Sequence, residues 1–140
     1  GKLAVPNSIL DKPGRLTEGE WAKVREHPFV TYQILDRVPV FRGFADDASN
    51  HHERLDGRGY FRGLSGDRLS RTARVLAVAD VVDALASDRP YRAALDAAEV
   101  CAMLVADRGH ALCPEAVDAA VAVLRASDAP GAPGALHPAS

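Results

Sequence analysis

The chain has 140 residues, 47% of them hydrophobic and 26% charged, with a formal net charge of −2; this suits one soluble globular domain with a real core. The slightly acidic total excludes the basic footprint of a general DNA or RNA binder. Its two cysteines, Cys101 and Cys113, form neither a disulfide framework nor a CxxC zinc pattern, and no apolar run reaches the roughly 18 residues of a membrane span, so a reduced, cytoplasmic setting is expected.

Residues 1–16 read as irregular, broken by Pro6, Pro13 and Gly14, with a short turn at Ser8-Ile9-Leu10. Thr17, followed three residues later by Glu20, is a capping-box pattern that starts a short helix with Trp21 and Val24 on its apolar side. That helix is expected to stop before Pro28, because the residue preceding a proline is pushed out of the α region. Pro28 in turn suits the first turn of the next helix, where Phe29, Tyr32 and Leu35 or Ile34 repeat at helical spacing up to Pro39. A third stripe, Phe41, Phe44, Ala45 and Ala48, runs one turn further into His51 and His52.

Residues 53–69 form a long loop with four glycines, and loops of that length are often functional. Ser70 caps a helix from Arg71 to about Ser87. Its Val75, Leu76, Val78, Ala79, Val82 and Leu85 make an apolar surface wide enough for the central helix of a bundle. Asp96 and Glu99 repeat the capping pattern for a helix running through Val100, Met103 and Leu104 to Gly109, and Pro114 opens a last helix bearing Val117, Val121 and Leu124. No alternating strand pattern is found. The reading is an all-α domain over 1–127, followed by an Ala/Pro/Gly-rich disordered tail over 128–140.

The chemistry centres on Asn50-His51-His52-Glu53-Arg54-Leu55-Asp56-Gly57-Arg58-Gly59-Tyr60. Neighbouring helix residues point about 100° apart, so His51 and His52 on a helix would reach two different metals or sit at a frayed helix end. Asp80 and Asp83 share one face of an otherwise apolar helix, and buried carboxylates need compensation. They either pair with Arg89 or Arg92, or Asp80 is a metal ligand that Asp83 helps to orient. His27 is either a helix cap or a further ligand. Imidazole and carboxylate donors without thiolates favour iron, manganese or zinc, ions that make hydroxide from water and polarise a phosphoryl oxygen. Arg89 and Arg92 suit a phosphate through their planar forks, against the reading of a charged, solvated turn. Lys2 has the same two readings.

In this order, Gly1-Lys2, Leu10-Asp11-Lys12-Pro13-Gly14, His27-Pro28, His51-His52-Glu53-Arg54, Asp56-Gly57-Arg58-Gly59-Tyr60, Val78-Ala79-Asp80-Val81 and Asp88-Arg89-Pro90-Tyr91-Arg92 resemble an HD-GYP domain. This is a bacterial subgroup of the HD-superfamily phosphohydrolases, and the resemblance runs from Gly1 to about Leu124. It implies an HD-domain-like helical bundle that hydrolyses cyclic di-GMP to pGpG, and often on to GMP, at a centre of iron or manganese. By resemblance His27, His51, His52 and Asp80 are metal ligands. Lys2 meets the scissile phosphate as the catalytic lysine, and Tyr60, Arg89 and Arg92 hold the ligand. The implied partners are cyclic di-GMP, GGDEF-type domains and an upstream sensory or receiver domain in a parent protein.

The chain departs from that pattern at three places. The family's histidine–aspartate pair precedes the Gly-Lys with which this chain opens, so a fragment of a longer protein is expected. Gly59-Tyr60-Phe61 stands where Gly-Tyr-Pro is usual, losing proline's fixed backbone angle. Cys113 stands where an aspartate often caps the last helix. The alternative reading is a non-catalytic cyclic di-GMP sensor or docking module, with Tyr60 and Phe61 as its apolar anchor.

Overall fold

Residue-level signals set the helix starts in the computed structural model, which describes residues 1–88 and 92–128. The Thr17 hydroxyl accepts the Glu20 N–H, and the Glu20 carboxylate accepts the Thr17 N–H at 2.7 Å, opening α2 (Glu18–Arg25). Lys12 adds a 2.7 Å ion pair to the same carboxylate, tying the segment after α1 (Asn7–Leu10) to the start of α2. Pro28 lies in the first turn of α3 (His27–Asp36), a position that suits proline; the break from α2 falls at Glu26, while His27, directly before the proline, is itself helical. Ser70 caps α5 (Arg71–Ala86). Asp96 and Glu99 form a second capping box on α6 (Ala97–Asp107), and Pro114 opens α7 (Pro114–Ser127).

Short 3₁₀ turns at Lys2–Ala4, Arg42–Phe44 and Gly66–Arg68 and the five-residue α4 (Ala45–Ser49) complete the order. Among the described residues there is no strand, and the all-α reading holds. Residues 129–140, the body of the expected tail, lie outside the described residues, as do Arg89, Pro90 and Tyr91.

The core forms where α5, α6 and α7 meet. Val78, Val100, Leu104 and Val117 pack with Ala111, Leu112 and Cys113 of the α6–α7 turn, and Val100, Leu104 and Val117 are 0% exposed. α4 packs against both α3 and α5 and so joins α3 to the bundle. Two expectations need correcting. The buried residues of α5 are only Ala73, Ala77 and Val78, while Val75 and Leu76 are 49% and 37% exposed. At about 100° per residue, those two fall on the far half of the helix from the buried arc. In addition, α4 ends at Ser49 with Asn50 as its C-cap, so His51 and His52 lie in the following turn and not on a helix.

Candidate metal centre

The packing of α3 on α4 brings His27, the first residue of α3, against the turn after α4. His27 is buried, with its Nδ1 2.6 Å from the Val24 carbonyl, and His51 places Nδ1 2.8 Å from the Ala48 carbonyl. A carbonyl only accepts, so both rings carry their proton on Nδ1. Each is left with a lone pair on Nε2, and these two Nε2 atoms face each other at 3.2 Å. With both rings neutral such an arrangement is repulsive, and a proton or a metal ion between the two Nε2 atoms relieves it.

His52 joins them, its ring centroid 4.2 Å from that of His51 and 4.9 Å from that of His27. One ring nitrogen from each of the three lies within 4.8 Å of the others. The helical separation anticipated for His51 and His52 does not arise, because a turn, unlike a helix, lets consecutive side chains converge.

Asp80, on the edge of α5's buried arc, sets its Oδ2 3.3 Å from His52 Nδ1. Burial, reinforced by the charges of His51, His27 and Lys2, pushes His52 down to about 3, and burial also lowers His27. With its charged form disfavoured, His52 meets Asp80 as a neutral ring beside a carboxylate and not as a charged pair. His27 and His51 thus have Nδ1 engaged outside the cluster, leaving Nε2 for a metal, the usual way a ligand's tautomer is set by its outer partner.

Lys2 is exposed, yet its charge bears on both His27 and His52. Gly1 makes this proximity feasible. A Cβ there would collide with the Thr31 hydroxyl and the His27 carbonyl, so only glycine lets the first residues lie on the start of α3.

The Tyr60 ring stacks at 4.6 Å and 30° on His52, and the Arg25 guanidinium lies 5.9 Å from its face. Burial and the Asp80 charge push the Tyr60 hydroxyl up to about 12, so it is a proton donor at neutral pH. Two local contacts seat Tyr60. Its N–H donates to the His52 carbonyl at 3.2 Å, and Gly59 packs so tightly on residues 52–54 that a Cβ would sit 2.6 Å from Arg54 N and His52 O.

Glu53 is the residue whose role the sequence reading did not find. It is 2% exposed, and its carboxylate accepts the N–H groups of Phe61, Arg62, Gly63 and Leu64 at 3.2, 2.6, 3.1 and 3.0 Å. The available signal was a carboxylate directly after two histidines and before a glycine-spaced loop. The same loop is pinned outward by Phe61 against Phe29 at 5.7 Å and by Arg62, which lies over Tyr32 and pairs with Asp46 at 2.7 Å.

Other candidates sit differently. Arg92 donates to the Ala84 and Leu85 carbonyls at 2.7 and 3.2 Å, capping the C-terminal end of α5, and Asp83 is exposed on α5. Arg89 lies outside the described residues. Cys113 makes no side-chain cap to α7; its thiol donates to the Glu115 carboxylate at 2.9 Å.

A family model described as HD domain matches residues 1–115. The chain is 46% identical over 115 residues to the 3'3'-cGAMP-specific phosphodiesterase 3 of Vibrio cholerae, a match covering 82% of this chain and 25% of that protein. It is 45% identical over 121 residues to the cyclic di-GMP phosphodiesterase response regulator RpfG of Xanthomonas campestris, covering 85% and 32%. Over 121 residues it is 37% identical to a cyclic di-GMP phosphodiesterase of Thermotoga maritima, covering 85% and 33%. The matched stretch spans only a quarter to a third of these relatives' length. The family match contains the three histidines, Asp80 and the Tyr60 loop, and the chain belongs to the HD domain family.

Proposed function

We propose that this chain is the histidine-rich part of a metal-dependent phosphodiesterase that hydrolyses cyclic di-GMP to pGpG and on to GMP. The observation that carries the reading is the convergence of three imidazoles within 4.8 Å, His27 and His51 holding their Nδ1 protons on main-chain carbonyls. His27, His51 and His52, with Asp80 beside them, would hold divalent metal. Iron or manganese suits donors that are imidazole and carboxylate without thiolate. When bound, such a metal polarises a phosphoryl oxygen and acidifies a water.

The chain's own groups supply the rest. Asp80, its Oδ2 3.3 Å from His52 Nδ1, would complete the ligand set, and Asp83 adds negative charge one turn further along α5. The Lys2 ammonium, whose field already reaches His27 and His52, meets the scissile phosphate. Tyr60, protonated and stacked on His52, contacts the cyclic dinucleotide. Arg89 and Arg92 provide forks for phosphate. Arg92 would exchange two carbonyl acceptors for anionic oxygens, which bind guanidinium more strongly. An upstream sensory or receiver domain and docking of GGDEF-type domains at the Tyr60–Phe61 loop belong to the same proposal.

The relatives' names include both cyclic di-GMP and 3'3'-cGAMP, so the assay takes both. The full-length protein carrying this chain is incubated with Mn²⁺ or Fe²⁺ and each cyclic dinucleotide, and linear products are resolved. Turnover of cyclic di-GMP, lost together with bound metal in His52→Ala, is expected. Binding without turnover, turnover of 3'3'-cGAMP alone, or full activity in His52→Ala would each overturn the reading.

A further inference from the structure

Glu53 sits next to a proposed metal ligand in the chain but points away from the cluster, into the loop that carries Tyr60. A buried carboxylate without an amino or guanidinium partner is costly, yet here it collects four consecutive backbone N–H groups, those of residues 61–64. Three further contacts close the same unit. Gly59 lies against the Glu53 backbone, the Tyr60 N–H reaches the His52 carbonyl at 3.2 Å, and the Tyr60 ring rests on His52 at 4.6 Å.

We propose that Glu53 is a positioning residue for ligand binding: by gathering the N–H groups of residues 61–64 it fixes Tyr60 on His52, making the histidine pair and the ligand-contacting loop one rigid clip. The N–H of Phe61 is one of the four donors, a bond that proline at this position could not make. Phe61 therefore replaces a fixed backbone angle with a hydrogen bond and with its ring contact to Phe29 at 5.7 Å. Loop order at this departure from Gly-Tyr-Pro comes from Glu53.

The consequence for activity rests on the phosphodiesterase reading above; the structural consequence does not. The full-length protein and its Glu53→Gln variant are compared by amide hydrogen exchange, by the ring-proton shifts of His52, by metal content and by steady-state kinetics with cyclic di-GMP. The amide of Gln presents an N–H₂ where one carboxylate oxygen accepted. At least tenfold faster exchange at residues 61–64 is expected, with α6 and α7 unchanged and the Tyr60 ring-current shift on His52 lost. Metal content should stay at the parent level while KM rises about tenfold and kcat changes little.

Parent-like exchange at 61–64, or an unchanged His52 shift, overturns the proposal whether or not the protein turns over cyclic di-GMP. Faster exchange with KM unchanged overturns the link to ligand binding. If parent and variant alike lack turnover, the phosphodiesterase reading fails while the exchange and shift results still judge the clip. Should Glu53→Gln not fold, Glu53→Asp, with the same charge one methylene short of the amides, is expected to show the same pattern more weakly, and parent-like protection in it overturns the proposal.

Discussion

His27 and His51 meet Nε2 to Nε2 at 3.2 Å, each with its other ring nitrogen on a main-chain carbonyl, Val24 for one and Ala48 for the other. Neither ring can relieve the contact by changing tautomer without losing its carbonyl bond. A proton on one Nε2 or a metal ion shared by both relieves it, and the metal can do so without charging either ring. Metal should therefore stabilise the fold directly: Mn²⁺ at about a hundred times its Kd contributes about 2.7 kcal/mol, a Tm rise of about 6 to 10 °C for a domain of this size. Differential scanning fluorimetry with and without a chelator checks this. The rise is expected to vanish in His51→Ala, and a rise that survives that change would remove His51 from the site.

Acid should weaken the metal-free protein in a window set by the histidines. Burial lowers His27 and takes His52 to about 3, whereas in the unfolded chain both return to about 6.5. Below about 6.5 the unfolded state thus binds more protons than the folded one, and stability falls as pH falls from there towards 3. Above 6.5 the contribution is fully present. Asp56 and Glu20 act lower: Arg54 and Lys12 respectively hold them at about 2 by hydrogen bonds, so their share is lost only below the ordinary carboxylate range. Urea midpoints at pH 7 and pH 5 measure the histidine part, and His52→Gln should flatten the difference.

Two glycine-to-alanine changes should have opposite signs. At Gly59 a Cβ would strike the Glu53 Cα and lie 2.6 Å from two main-chain atoms, with no flexible side chain to yield. Gly59→Ala is expected to cost about 3 kcal/mol or to prevent folding. At Gly19, inside α2, nothing lies within 4 Å of the added carbon, and Gly19→Ala should stabilise by about 0.5 to 1 kcal/mol. Thermal unfolding of both variants reads the contrast.

Tyr60 separates stacking from its hydroxyl. Tyr60→Phe keeps the ring on His52 while removing a proton donor, and Tyr60→Ala removes both. On the proposed function, Tyr60→Ala should raise KM about tenfold or more and Tyr60→Phe less, with metal content unchanged in each. Equal KM values in the parent and both variants would take Tyr60 out of ligand binding.

What could be read from residue order was whatever local physics controls. Both capping boxes, the Ser70 cap and the Pro28 and Pro114 helix starts fall where the sequence puts them, because each involves groups within a few residues of one another. The residue types of the site were legible too, since imidazoles and carboxylates with no nearby thiolate already define a class of metal.

Periodicity failed at α4 and α5, where it asks only which residues are apolar. It does not reveal that α4 ends at Ser49, or that Val75 and Leu76 face away from α6 and α7. Convergence is a property of three dimensions: His27 meets His51 because α3 packs on α4, and His52 finds Asp80 because α5 passes beside that turn. Glu53 shows the difference most clearly. Its neighbours in sequence suggest a ligand or a charged turn, but its partners are four amides up to eleven residues away, and only the path of the folded loop can bring them to one carboxylate.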